Sequence, residues 1–483
     1  MMTEETTQTE GLRLINRTHP EYNSLVTKWE FWQQSYLGGQ GYIESNLFKY
    51  YKEGDEEFNA RVERAYRENH SKRVVDIINS YLFKVPAARN AKTKNENFDR
   101  FQKNVDGRGR SINRFMKNAS LWSSVMGRVY IMVDKMKLAD GEQTGTAADN
   151  LKAPPYAYVV FPRDVMDIAF DGNGRVKWTI IRETYREDDD PFDAAESTCE
   201  CYRLWTQEEW VLFDDKGEET GRDAHGLGIV PMIIVDNEEG ATQYEGQGLI
   251  ADISYLDRAI FNNWSRLDTI VCDQTFSQLI FPIEGLPIQN VADDNELIDQ
   301  FLQLSTKRAL LFSSACGVKP EYISPDASQA DFILKMIERQ IRQLYASISL
   351  AGETGEEVKA ESGVAKAYDF DKMNTLLAGK GDNLEEAELE LAMVAGRWLD
   401  TEIEYEVDYP DEFDVRSLAE EISIAQELAL IDVSETFKKE IDKIIVKKAL
   451  PKLPKKIVDR IFDEIDKKGF EDSRDRGVEG LLD

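Results

Sequence analysis

Two helical stretches of similar length, enclosing a short insert with strand character, constrain this chain more than any other feature. In the first, Leu249, Ile253, Leu256, Ile260, Trp264, Leu267 and Val271 recur at steps of three and four. That spacing gathers them on one face, while Asp252, Asp257, Arg258 and Arg266 point elsewhere. The second repeats the pattern with Ala330, Ile333, Leu334, Ile337, Ile341, Leu344, Tyr345 and Ile348, opposed by Lys335, Glu338, Arg339, Arg342 and Gln343. At 1.5 Å per residue each spans roughly 35 to 40 Å, enough to form a paired stalk. Helical periodicity alone fits an ordinary hairpin in a core equally well.

The flanking sequence is mixed. Helical spacing begins near Pro20, is interrupted at Gly38, Gly39, Gly41 and Gly54, and stops at Pro86. Its strongest run follows Asp55, through Phe58, Val62, Ala65 and Tyr66 to Val74, Ile77, Ile78, Tyr81 and Leu82. A helix over 112–124 then leads into a strand over 129–133, and the small, polar residues 138–153 read as a loop. From Tyr156 to Asp236 the pattern becomes β, with strands expected at 165–170, 175–183 and 209–213. The turns Asp171-Gly172-Asn173-Gly174 and Asp214-Asp215-Lys216-Gly217 mark hairpins. A calcium loop at Asp171 and Asn173 lacks the later ligands and the closing Glu.

Within the insert, strands are expected at 276–283, 309–312 and 318–323, with a short helix over 293–304. Gly352-Glu353-Thr354-Gly355-Glu356-Glu357 breaks the second helix. Another long helix starts at Val364, loosens at Gly379 to Gly381 and ends near Leu399. A charged helical tail follows from about Val415, divided by Pro451 and Pro454.

Chemistry is sparse. No GxxxxGK[ST] cradle occurs, and Gly379-Lys380-Gly381-Asp382 lacks both the upstream glycine and the hydroxyl. Gly226-Leu227-Gly228 runs into Ile229, Val230 and Pro231 without a third glycine or a helix start. The three histidines, His19, His70 and His225, form no i,i+4 pair. Cys199, Cys201, Cys272 and Cys316 show no zinc spacing and read as reduced thiols. Carboxylate runs such as Asp188-Asp189-Asp190 and Glu385-Glu386 read as solvated charge rather than metal sites. Trp29, Phe31, Trp32 and Tyr36 have the spacing of core packing or a subunit contact more than of a base-stacking platform. No cofactor is expected.

A net charge of −31 argues against sequence-specific DNA binding, because a phosphate backbone is repelled at long range. It fits a channel through which DNA slides without sticking, and it also fits plain solubility. No apolar run is long enough to span a bilayer, and the acidic N-terminus does not read as a targeting peptide, so cytosolic synthesis and no membrane partner are expected.

Taken in order, several segments resemble the portal proteins of tailed bacteriophages. Tyr42-Ile43, Glu56, Phe58, Arg61, Arg64-Ala65, Asn69, Val74 to Ile78, Phe83 and Pro86 are similar to the family's opening helices. Gly127 to Asp134 resembles the strand entering the wing, Val230-Pro231 precedes the first stem-like helix, and Val318 to Ile323 leads into the second. Glu361 to Lys366 resembles the join between tunnel loop and long helix.

The resemblance implies an α+β subunit with a mixed α/β wing, a two-helix stem, a small α/β clip and a helical C-terminal crown. Residues 1–245 would be N-terminal helices and wing, 246–275 and 327–350 the stem, and 276–326 the clip. Residues 351–363 would be the tunnel loop, 364–405 the long wing helix and 406–483 the crown. Stem packing would fall to Leu256, Ile260, Trp264, Ile337, Ile341 and Leu344. The tunnel loop would present Gly352, Glu353, Glu356, Glu357, Lys359 and Glu361, and the clip would meet a motor through Asp293, Asp294 and Glu296.

By the same resemblance the chain is not an enzyme. It would be one of about twelve copies in a ring at a capsid vertex of the virion, made in the host cytoplasm. Its implied partners are the major capsid protein, the terminase large subunit, neck or adaptor proteins, and non-specific double-stranded DNA passing through the channel. A capsid-associated scaffold or adaptor, and a metal-dependent nuclease, are the alternatives. A ring with a central hole separates the portal reading from both.

Overall fold

A computed structural model describes residues 10–135, 154–186, 198–275, 278–282, 309–312, 321–323, 328–348, 350 and 363–410, with parts of 439–466. The chain divides into two compact units, 1–412 and 413–483. Among the described residues of the second, helical turns carry Lys443, paired with Glu440 and Asp466, and Arg460, paired with Glu464.

After a short helical segment at residues 10–15, the first unit continues with α1 (Tyr22–Leu37), α2 (Gln40–Asn46), α3 (Asp55–Arg64) and α4 (His70–Leu82). In α1, Tyr22, Leu25, Trp29, Trp32 and Tyr36 alternate steps of three and four and are all buried, so this aromatic run is core. Gly38 ends the helix at φ 65°, donating its N–H to Gln34. The run after Asp55 is two helices rather than one. Ala65 is extended, and Asn69 restarts the chain by accepting the Lys72 N–H, leaving the intervening segment free to turn Arg67 inward.

Strand β1 (Ala88–Ala91), α5 (Glu96–Lys103) and α6 (Ile112–Met126) follow, and α6 runs directly into β2 (Arg128–Lys135). The junction is Gly127, at φ 87°. A Cβ there would sit 2.0 Å from the Gly246 carbonyl oxygen, so both the backbone angle and the close approach require glycine. β2 is buried from Arg128 to Val133 because it is the middle strand of an antiparallel trio with β3 (Pro155–Val160) and β9 (Met232–Asp236).

Between β3 and β9 lies a five-stranded antiparallel meander: β4 (Val165–Phe170), β5 (Val176–Arg186), β6 (Thr198–Trp205), β7 (Glu209–Phe213) and β8 (Glu219–Ala224). Its turns account for the Asp-Gly signals. Asp171 Oδ1 accepts the N–H groups of Asn173 and Arg175, with Gly174 at φ 80°, and Asp214 does the same for Lys216 and Glu218. These carboxylates are used by backbone. Cys199 and Cys201 lie on β6 as free thiols, and burial pushes the Cys201 thiol up to about 11.

Helices α7 (Ile253–Thr275) and α8 (Ser328–Ser347) bracket a small sheet in which β10 (Gln278–Pro282) pairs parallel with β11 (Ala309–Phe312) and antiparallel with β12 (Glu321–Ile323). The helix expected over 293–304 and the loop expected over 138–153 lie outside the described residues. Helix α9 (Gly363–Trp398) packs on β2, β9, α4 and α6, and β13 (Tyr405–Asp408) returns to pair with β1.

The expected loosening of α9 at Gly379 to Gly381 does not occur: the helix is continuous. Each glycine costs a helix roughly 1 kcal/mol relative to Ala. Tertiary contacts offset this here, since Lys380 is anchored in the core and Gly381 lies against Tyr409, where an added Cβ would stand 3.5 Å from the Tyr409 Cβ.

Candidate functional site

The helix pair is the feature with the clearest capacity for function, and its geometry begins at its base. His70 and Ser71, adjacent in the first turn of α4, grip one helix each. Ser71 donates from its N–H (2.9 Å) and its hydroxyl (2.6 Å) to Asp257 of α7. The His70 Nδ1 lies 3.2 Å from the Tyr345 hydroxyl of α8, with the rings edge to face. The N-terminal turns of α7 and the C-terminal turns of α8 therefore share one anchor, and the two helices run antiparallel. Higher up, Asn263 donates to Gln340 across the pair at 2.9 Å.

Asp257 corrects the sequence reading, which turned it away from the apolar stripe. It is fully buried, where it accepts from Arg67 and from the N-terminus of α4, a site where partial positive charge favours a carboxylate. A second ion pair braces the same helix. Arg61, 2% exposed, binds both oxygens of Glu53 at 2.8 Å and donates to Ser265 of α7 and to the Phe48 carbonyl, with Tyr50 stacked at 3.8 Å. Those hydrogen bonds hold the Glu53 carboxyl below its ordinary value. Burial pulls His70 below its ordinary value, so the imidazole at the anchor is neutral near pH 7.

All six expected stem residues lie on these two helices. Ile260, Ile337 and Leu344 are buried in the single chain, whereas Leu256, Trp264 and Ile341 are half-buried. The loop residues Gly352, Glu353, Glu356, Glu357, Lys359 and Glu361, and the insert residues Asp293, Asp294 and Glu296, lie outside the described residues.

Two further buried charges, neither with a role legible from sequence, fix α9. Glu388 is held by Arg89, Tyr405 and Tyr409. Lys380, 3% exposed, donates to the Ser120 carbonyl (3.2 Å), Ser124 Oγ (2.6 Å) and Asn237 Oδ1 (2.7 Å). Burial pulls this ammonium down to about 7, even though the three oxygens favour its charged form.

Between pH 7 and the ordinary lysine value of 10.5, the unfolded chain holds a proton that the folded chain has released. Stability from this group should therefore rise with pH across that window and be flat below it. Urea denaturation of the wild type and Lys380→Met at pH 6.5, 8 and 9.5 checks this. The variant should lose that rise, and equal slopes would show that Lys380 stays charged throughout.

Little else has catalytic form. Among the described residues, no group of three or more His, Cys, Asp or Glu side chains is placed to hold a metal. Nor is any helix among them long and apolar enough to cross a membrane. A cavity of about 610 Å³ between α6, β3, β5 and β6 is lined by Trp122, Asp134, Tyr156, Glu183 and Arg203 among others, but Arg203 and Glu183 satisfy each other through two hydrogen bonds.

Comparison with known proteins places the architecture. No curated protein matches this chain. Among solved structures, the neck of a native gene transfer agent (GTA) particle computed with C12 symmetry is similar at 13% identity and a TM-score of 0.40, covering 77% of this chain and 88% of that one. The neck of an empty GTA particle computed with C6 symmetry gives 10%, 0.42, 84% and 99%. The virion of a native GTA particle gives 11%, 0.40, 83% and 97%. The decisive match is to a family model, phage portal protein, SPP1 Gp6-like, which spans residues 20–454. With that match covering most of its length, the chain belongs to the phage portal protein family, SPP1 Gp6-like.

Proposed function

We propose that this chain is the repeating unit of a portal ring at one capsid vertex, forming the channel through which the terminase packages DNA and through which DNA later leaves. The observation that carries this is apolar surface left on an otherwise firmly anchored helix pair. Leu256, Trp264 and Ile341 are half-buried, and Val271 (49% exposed), Leu334 (37%) and Phe332 (69%) face outward in the single chain. Neighbouring copies in a ring would cover such a strip, at roughly 25 cal/mol per Å² of apolar area removed from water.

On this reading residues 1–245 and 364–405 form the wing, 246–275 and 327–350 the stem, 276–326 the clip, 351–363 the tunnel loop and 406–483 the crown. The clip, through Asp293, Asp294 and Glu296, meets the terminase large subunit and neck or adaptor proteins. The wing meets the major capsid protein. The tunnel loop, acidic apart from Lys359, touches DNA without holding it, and the protein performs no catalysis. The ring is made in the host cytoplasm and resides in the virion.

Negative-stain imaging and light scattering of purified protein test this together. Rings with a central hole and, for twelve copies of 55.3 kDa, a mass of about 664 kDa are expected. A monodisperse monomer at every concentration and salt would sink the reading.

A further inference from the structure

Four arginines lie along α7, and three hold carboxylates: Arg61 with Glu53, Arg64 with Asp268, and Arg67 with Asp257. The fourth, Arg258, has no carboxylate within ion-pairing distance among the described residues. Instead its guanidinium lies 4.5 Å from the ring centre of Phe31, 5.3 Å from Tyr255 and 5.4 Å from Phe48. This arrangement holds the cation in place through its faces and leaves its in-plane N–H donors unused.

Phe31 packs against the buried cluster of Tyr42, Leu47 and Phe261, but the other aromatics are exposed. Phe48 is 52% exposed, Tyr255 45%, and Tyr51, three positions beyond Phe48, 93%. Exposed aromatic side chains clustered on a pre-positioned arginine have the composition of an interface hot spot. They also border α7, the helix whose outer surface is left uncovered.

We propose that this patch is a contact between adjacent copies of the chain, in which Arg258 receives a carboxylate of the next copy while Tyr51 and Phe48 are buried against it. The proposal rests on the ring reading and adds a location to it. With 90 acidic against 59 basic residues, a second copy of the chain has carboxylates in excess to meet this cation. In a ring the contact is head-to-tail, so Arg258 of one copy would face a different surface of the next.

Sedimentation velocity over a range of protein and salt concentrations tests this with three variants. Arg258→Glu and Tyr51→Asp should each raise the concentration at half-assembly by about tenfold or more, and Arg258→Lys should raise it less than Arg258→Glu. Because Tyr51 is almost fully exposed, Tyr51→Asp should leave the thermal melt of the unassembled chain unchanged, which separates assembly from folding. Normal assembly of both Arg258→Glu and Tyr51→Asp beside a ring-forming wild type would overturn the patch and leave the ring reading standing. A wild type that never assembles would overturn both.

Discussion

Ile337→Asp should unfold the α7–α8 pair within the single chain, before any question of assembly arises. Ile337 is fully buried, on the same side of α8 as Leu344 and Tyr345, which reach the anchor at α4. The substitution forfeits about 1.5 to 3 kcal/mol of apolar burial. It also leaves a carboxylate that must either ionise without a partner or remain protonated at pH 7, and together these should cost on the order of 4 kcal/mol or more. Neighbouring positions provide the contrast. Ile341→Asp, at a half-buried site, should be tolerated better by the isolated chain and block ring formation instead, while Arg339→Ala, at an exposed site, should stay within about 0.5 kcal/mol. Urea denaturation combined with hydrogen exchange of the α8 amides measures all three. An unchanged midpoint for Ile337→Asp would mean that α8 faces another way.

The contrast between Ile337 and Asp257 shows what the sequence made legible. Periodic apolar residues and turn chemistry are local signals, and they located α1, α6, the strands at 165–170, 209–213 and 309–312, and both helices of the pair. Buried charge carries no such signal. Asp257, four residues after Ile253 and three before Ile260, shares their buried side of the helix, yet a carboxylate there reads as turned away, because the groups that make its burial possible, Arg67 and Ser71, lie 190 and 186 residues away. Arg89 and Glu388 are 299 residues apart, and Lys380 finds its acceptors on α6 and just after β9. The break between α3 and α4 was missed for a related reason. Helical spacing continues through Tyr66, but the tertiary demand to bury Arg67 against Asp257 outweighs the local preference. The uncovered strip of α7 and α8 was legible as periodicity, whereas which of its residues stay exposed depends on how far α2, α3 and α4 climb its base.

Glu388 makes a fully buried polar joint in the first unit, and its removal is the other large effect expected. It is fully buried on α9, accepting from Arg89 at 2.6 and 2.9 Å, from the Tyr405 hydroxyl at 2.6 Å and from the Tyr409 hydroxyl at 2.7 Å. One carboxylate thus ties the long helix to both strands of the β1·β13 pair and to the residue just beyond it. Glu388→Ala would leave a largely buried guanidinium with the Ala87 carbonyl, Asn113 and a long 3.4 Å contact to the Tyr409 hydroxyl in place of its carboxylate, and would take from both phenols the acceptor they now use, a loss of about 3 to 5 kcal/mol. Glu388→Gln keeps the shape and part of the hydrogen bonding and should cost about 1.5 to 3 kcal/mol. The pH dependence separates this joint from Lys380. Burial, and then the charge of Glu388, raise both phenols above the ordinary 10.0. Above that pH the unfolded chain releases protons that the folded chain retains, so their contribution is complete below pH 10 and falls as pH rises further. The wild type should therefore lose stability beyond pH 10, and Glu388→Gln should lose it less steeply, because one of the two causes has gone. Denaturation at pH 9, 10 and 11 reads this directly. A Glu388→Ala variant as stable as the wild type, with the same alkaline slope, would show that α9 is held to the strand pair by its apolar face alone.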